Sequence, residues 1–347
     1  MPRVKLVERP VGRVEFYDPR VNGVNATLLS RWKSCRHRAL IDLNGWTPRL
    51  VSVGGIFGLV VHDALRHVYD HVRIGKLKDY RKLDPAAYKT VLDYAFTAWK
   101  AENPRASAEV LQKVEMVRVL ADTVLPEYFK YHARDFTDMI WGPPEAPFKI
   151  PYTVQTAKFG PIETFLKGRV DGTFAVRGAK KRSAVLLETK TKSRIDPLSL
   201  VDMLPHDLQV SIYNTASALN GVRPTGLLYN VVRRPGLQQG AKETLKDFAQ
   251  RIVKDIQKRP DFYFLRFRMD LRQHDLARQA AEVEEIVTDF VRWWAGDVGH
   301  YKNSDHCENK YGKCEFLGTL CGGPDEGKPN PARFYKRNTV FRTGEDE

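Results

Sequence analysis

The sequence predicts an α/β protein, with a mixed central sheet flanked by helices, a helical insertion and a C-terminal cysteine segment. Three observations carry this. From Phe148 to Lys190, short runs of β-branched and aromatic residues alternate with polar ones between turn-forming residues, as strands do. From Pro205 to Trp294, helix-like and strand-like segments alternate. A strand–helix–strand passage implies a right-handed crossover and a parallel pairing, so the sheet should be mixed. Between residues 25 and 141, apolar residues recur at three- and four-residue intervals, the period of a helix.

In chain order, residues 1–24 read as an arm with a short strand at Val14–Tyr17. Asn25–Asn44 reads as one helix, with Leu28, Leu29, Trp32, Ala39, Leu40 and Leu43 on its apolar stripe and Cys35 in its middle. A second helix begins after Gly54-Gly55 and runs to about Val72. Its rows are Ile56, Val60, Ala64, Val68 and Phe57, Val61, Leu65, Tyr69. Two further helices, Tyr88–Ala101 and Ser107–Arg134, hold aromatics that read as core: Tyr94, Phe96, Trp99, Tyr128, Phe129 and Tyr131. Trp141–Pro147 (WGPPEAP) reads as a linker. The strand signals Phe148–Gln155, Ile162–Ala175 and Ser183–Lys190 suggest an antiparallel meander. A helix near Pro205, a strand Thr225–Val232, a helix Lys242–Lys258, a strand Phe262–Arg268 and a long helix Leu271–Trp294 follow. The tail after Gly322 is polar and reads as loosely held.

A chain of 347 residues makes one large domain with insertions or two modest ones. No run of 18 apolar residues suggests a membrane span. The opening MPRVKLVERP lacks a signal-peptide core, so a cytoplasmic location is expected. A net charge of +14 points to a polyanionic partner, with clusters at Lys180–Arg182, Lys190–Arg194, Arg233–Arg234 and Lys328–Arg342. General solubility charge is the plain alternative. The four cysteines, Cys35, Cys307, Cys314 and Cys321, suit a four-coordinate metal site better than two disulfides in a chain expected to be cytosolic.

Chemistry concentrates between Gly168 and Ser193, read as two strands joined by a basic turn. Asp171 lies in the first strand. Glu188 and Lys190, two apart on the second, face the same side. An acid-x-Lys pair facing an aspartate can hold a divalent metal and keep an ammonium beside it, the chemistry of phosphodiester hydrolysis. His62 lies at the margin of its helix's apolar face, one turn after Gly58, which would leave open space beside the imidazole; a structural histidine is the alternative. Gln209 and Tyr213 share a helix face, beside a face of Leu208, Ile212, Thr215 and Leu219 that can bury. They could bond the lysine or a phosphate, or be two surface polar residues.

Taken in order, Gly58…His62, Gly168-Arg-Val-Asp171, Glu188-Thr-Lys190 and Gln209…Tyr213 resemble the PD-(D/E)XK nuclease superfamily in its RecB-like branch. The family's pattern is G-x-x-x-H, G-x-x-D, E-x-K and Q-x-x-x-Y. The resemblance covers residues 25–80 and 148–325 and implies a restriction-endonuclease-like core. It divides the chain into an arm (1–24), N-terminal helices of the nuclease domain (25–80), a helical insertion (81–147), the core (148–300), a cysteine segment (301–325) and a polar tail (326–347). It implies that Asp171 and Glu188 coordinate Mg²⁺ or Mn²⁺, with the Thr189 carbonyl and His62 as further ligands. Lys190 would position or deprotonate the attacking water, and Gln209 and Tyr213 would orient Lys190 or the DNA end. Relatives of the AddB and CRISPR-adaptation type carry one cysteine before the core and three after it, around a [4Fe–4S] cluster. Cys35 and Cys307, Cys314 and Cys321 match that order. Their C-x6-C-x6-C spacing departs from the C-x2-C step of many relatives and from the pairs usual for structural zinc, so Zn²⁺ remains the alternative. The implied activity is a DNA exonuclease or end-processing nuclease in recombination, CRISPR adaptation or phage DNA metabolism. No P-loop occurs, so a helicase would come from a partner. The alternatives are a catalytically silent DNA-binding or adaptor module of the same fold, or a zinc-stapled nuclease.

Overall fold

The computed structural model describes residues 14, 17–48, 53–102, 107–179, 183–271, 273–309, 312–322, 329–331 and 333–336. The basic turn Lys180–Arg182, the middle of the expected strand at Val14–Tyr17 and most of the basic stretch Lys328–Arg342 lie outside them. The longer elements are, in order, α1 (Ala26–Ser34), α2 (Arg36–Leu43), α3 (Val53–Arg73), α4 (Pro85–Glu102), α5 (Ala108–Tyr131), β1 (Met139–Trp141), β2 (Ala146–Thr156), β3 (Gly160–Val170), β4 (Gly172–Val176) and β5 (Ala184–Lys192). Then come α6 (Leu208–Leu219), β6 (Pro224–Arg233), α7 (Leu245–Lys258), β7 (Phe264–Asp270) and α8 (Gln273–Ala295). They fall into two compact units: residues 1–50, 147–169 and 274–347 in one, and 51–146 and 170–273 in the other.

The second unit is built on a five-stranded sheet of order β1-β4-β5-β6-β7. The β5–β6 pair, joined through α6, is parallel and the others are antiparallel, so the expected mixed sheet forms. β5 is buried continuously from Val185 to Thr189 instead of alternating, as expected of a strand covered on both faces. One cover is helical. Phe57, Val61, Leu65 and Val68 of α3 join a core with Val117 and Val124 of α5, Ile252 of α7 and Val185 and Leu187 of β5. Each such side chain contributes roughly 1.5–3 kcal/mol relative to exposure. The helices between 85 and 131 thus share the core of the sheet.

The meander does not form. β2 and β3 pair only with each other in this ladder, as a two-stranded sheet in the first unit. The chain leaves strand geometry at Asp171 and re-enters it as β4. Both bonds that the structure gives Asp171 here leave the β3–β4 path. Its carbonyl accepts from Glu145 N–H at 3.2 Å and its carboxylate from Thr189 N–H at 2.6 Å.

In the first unit, the single helix expected over 25–44 is two. Cys35 has φ −160° and ψ 114°, extended backbone that ends α1 and starts α2. The polar tail is also partly held: Phe334–Lys336 pairs antiparallel with Trp46–Pro48, and Phe334 is buried. Elsewhere, Tyr94 and Tyr131 are exposed, not core, and so is Leu219 of α6, while Ile212 and Thr215 are buried. Arg233 is buried too, donating to the carbonyls of Phe262 and Ser193, so this member of a basic cluster is internal.

Candidate active site

His62, Asp171, Glu188, Lys190, Gln209 and Tyr213 all lie in the second unit, around the central strand β5, while Gly168 falls in the first. α3 delivers His62. A Cβ on Gly58 would meet Thr191 Oγ1 at 2.9 Å, so this glycine permits close packing of α3 on β5 and does not open space beside the imidazole. The glycine of G-x-x-D acts similarly elsewhere: a Cβ on Gly168 would meet the Phe148 ring at 2.6 Å across the β2–β3 hairpin.

Asp171 sits at the strand break with its carboxylate 3.7 Å from His62 Nδ1. The Glu145 carboxylate is 3.9 Å from the same nitrogen. His62, Glu145 and Asp171 can each offer a ligand atom, and these atoms lie within 4.8 Å of one another. Sequence reading missed Glu145, because WGPPEAP resembles a linker. The signal was an acid amid prolines: Glu145 adopts φ 51°, rare for a non-glycine residue, and its N–H is tied to Asp171.

Glu188 is fully buried on β5 and forms an ion pair with Lys190. Apart from that pair, neither carboxylate oxygen has a hydrogen-bond partner among the described residues. Lys190 Nζ also donates to Gln209 Oε1 at 2.5 Å, and Gln209 Nε2 donates to Tyr213 Oη at 2.6 Å. Gln209 and buried Tyr213 are therefore not surface residues; they form a relay holding the ammonium. α6 is set by Asp207, whose side chain caps it by accepting from the N–H groups of Gln209 and Val210 at 2.9 and 3.1 Å. On the other face of β5, Asn230 donates to Thr189 Oγ1 at 3.3 Å and accepts from Arg266, which pairs with buried Asp135. This network, with Tyr69 and Tyr128 also bonded to Arg266, ties β5 to α3 and α5.

Burial raises Glu188, and the Asp171 charge raises it further against Lys190. Burial likewise raises Asp171. Burial alone would lower His62, but Asp171 and Glu145 outweigh it and bring the imidazole to about 9. Burial would also lower Lys190, yet Glu188 and Asp171 hold it above the usual lysine range. Crowded carboxylates, one partnered only by Lys190 among the described residues, form an excess of negative charge that a hard cation with oxygen and imidazole ligands would relieve. The donor set fits Mg²⁺ or Mn²⁺.

The thiols belong to the first unit and none is in a disulfide. Cys35 Sγ accepts from Asn303 N–H at 3.5 Å, Cys307 Sγ contacts the Asn303 carbonyl at 3.7 Å, and Cys314 N–H donates to the Cys307 carbonyl at 2.8 Å. Cys314 and Cys321 pack on a small core of Ile41, Phe316, Leu320 and Phe334. Among the described residues, the group of three or more side chains with ligand atoms this close is His62, Glu145 and Asp171; no three of the sulfurs come together to that distance.

A family model described as the PD-(D/E)XK nuclease superfamily matches residues 25–318. No curated protein matches. Among solved structures, the chain is similar to one titled "Putative exonuclease" from Eubacterium rectale. The two are 12% identical, with a TM-score of 0.44, over 79% of this chain and 82% of that one.

Proposed function

This chain belongs to the PD-(D/E)XK nuclease superfamily, and we propose that it is a metal-dependent deoxyribonuclease that degrades or trims DNA from ends. The observation that carries the reading is Glu188: fully buried beside Asp171, with Lys190 as the one partner of its carboxylate among the described residues. A carboxylate in that state is expensive unless a cation uses it. Asp171 and Glu188 would hold Mg²⁺ or Mn²⁺ with the Thr189 carbonyl, and His62 and Glu145 would complete or share the site. The ion supplies a water of lowered pKa and neutralises charge growing on the phosphate.

The protein's own contribution is positioning and charge. Lys190, raised by its carboxylate neighbours, stays an ammonium at working pH. That favours stabilising the phosphorane-like transition state over taking a proton from water. Gln209 accepts from Lys190 and is itself held by Tyr213, so the ammonium is fixed before substrate arrives. A net charge of +14 adds backbone attraction that weakens with salt.

The resemblance to RecB-like and CRISPR-adaptation-type nucleases supports end-directed cleavage in a cytoplasmic DNA-processing setting, with any unwinding by a helicase partner. It also supports a [4Fe–4S] cluster on Cys35, Cys307, Cys314 and Cys321, stapling an N-terminal helix junction to the segment after the core. Four thiols in one unit, none in a disulfide and two of them in contact with Asn303, suit such a ligand set. Residues 25–80 and 148–300 would form the nuclease core and 81–147 its cover. Broad absorbance near ~400 nm after anaerobic purification is the expected mark of the cluster; an active, colourless, zinc-loaded protein would assign Zn²⁺ instead.

The nuclease reading is tested with linear DNA labelled at either end, with and without Mn²⁺. Wild type should degrade it and Glu188→Ala should not, with melting unchanged. Undiminished cleavage by the variant overturns the site assignment. DNA binding by wild type without cleavage under any metal would turn the reading to a silent binding module.

A further inference from the structure

Six tyrosines are buried among the described residues, and five have hydroxyl partners: Tyr17, Tyr69, Tyr128, Tyr213 and Tyr263. Tyr229 is the sixth. It is 2% exposed, yet its hydroxyl makes no hydrogen bond to any described residue. The hydroxyl is not among the fully buried polar atoms that lack a partner, so the little surface Tyr229 keeps leaves its tip within reach of a ligand.

That position is the candidate active site. In the parallel β5–β6 register Tyr229 stands opposite Glu188, so its ring lies on the face that carries Glu188 and Lys190. The Lys192 ammonium is 5.8 Å from the ring centroid. The charges acting on the hydroxyl are those of Lys190, Asp207, Glu188 and Asp171. Asp207 already caps α6, and Glu188 is paired with Lys190. A phenol keeps its proton at neutral pH and is therefore an O–H donor. A hydroxyl donor on the face that carries Lys190, with the Lys192 ammonium over its ring, suits an anionic oxygen, and a phosphodiester presents two.

Resting on the nuclease reading, we propose that Tyr229 is a substrate-contacting residue whose hydroxyl donates a hydrogen bond to a non-bridging oxygen of the DNA phosphate that Lys190 engages. No bond is made or broken by Tyr229; it holds and helps neutralise the phosphate while Lys190 carries the charge.

The test compares the full chain with Tyr229→Phe and Glu188→Ala on a fluorescently end-labelled linear duplex. Cleavage is followed with Mn²⁺, and affinity by anisotropy with Ca²⁺ in its place. The phenylalanine variant loses no internal hydrogen bond, so its melting temperature should match or exceed that of wild type. Its kcat/KM should fall about ten- to hundredfold, the loss of one hydrogen bond to a charged group. Replacing one non-bridging oxygen by sulfur should slow wild type on one diastereomer and add little to the loss in Tyr229→Phe. Wild-type cleavage by Tyr229→Phe overturns the proposal. So does a loss that tracks a lowered melting temperature, or an equal sulfur effect in both proteins. If wild type cleaves nothing, the nuclease reading fails by itself; the contact is then judged by affinity, and equal Kd values for wild type and Tyr229→Phe overturn it.

Discussion

The two regions proposed to hold metal are built in opposite ways. The carboxylate site takes its ligands from α3, a loop bonded to Asp171 and the central strand β5, and three of its ligand atoms already lie within 4.8 Å. The thiols ride on a helix junction, loop positions and one two-residue strand, and among the described residues no three of their sulfurs converge to that distance. The first region rests on a five-stranded sheet and a large apolar core. The second has a few long-range bonds around Asn303 and one small core. A cluster or zinc ion there would tie Cys35 to a segment far along the chain and so couple metal binding to folding.

Substitutions in the two regions should therefore fail differently. Glu188→Gln should lower Mn²⁺-dependent cleavage by on the order of a thousandfold, with no drop in melting temperature. Lost folding instead of lost chemistry would break the contrast. The pH dependence of metal affinity comes next. With His62 at about 9, the imidazole is protonated at pH 7 and must lose its proton to ligate. Mn²⁺ affinity should therefore tighten as pH rises from 7 to 9, by up to about tenfold per unit, and level off above. Calorimetry in buffers of different ionisation enthalpy should show proton release on binding; a flat profile would remove His62 from the ligand set. Glu145→Gln should weaken Mn²⁺ binding about ten- to hundredfold, and an unchanged titration would reduce Glu145 to a bystander. Gln209→Ala frees Lys190 from one charge-assisted bond and should lower kcat by about tenfold with KM little changed. Cys314→Ser should leave Mn²⁺ affinity intact and lower the melting temperature by on the order of 5–10 °C. Equal melting for wild type and variant would sink the staple.

How much of this was readable from sequence depends on how local the cause is. The strand–α6–strand passage implied a parallel pair, and β5–β6 forms one, because crossover handedness follows from local chirality. Gln209 and Tyr213 share a face because helix geometry places residues four apart together, and they meet Lys190 as a relay. Cys35 was misplaced inside one helix because periodicity carries across a single extended residue. The β3–β4 break at Asp171 was missed because a continuous apolar alternation does not reveal where a strand changes sheets. Gly58 was given open space when its purpose is close contact with Thr191, a neighbour 133 positions away that no local pattern exposes.

By itself, the sequence determined the motif order, the residue chemistry at each motif, the helix and strand periods and the basic balance. These are set by composition and short-range spacing. Tertiary structure alone decided that Glu145 joins His62 and Asp171, and that Glu188 lies buried with Lys190 as its carboxylate's partner. It also decided that Tyr229 stands opposite Glu188 on the same face of the sheet. Each depends on strand register and on the packing of distant segments, where burial, not residue type, sets the energy of a charge or a donor.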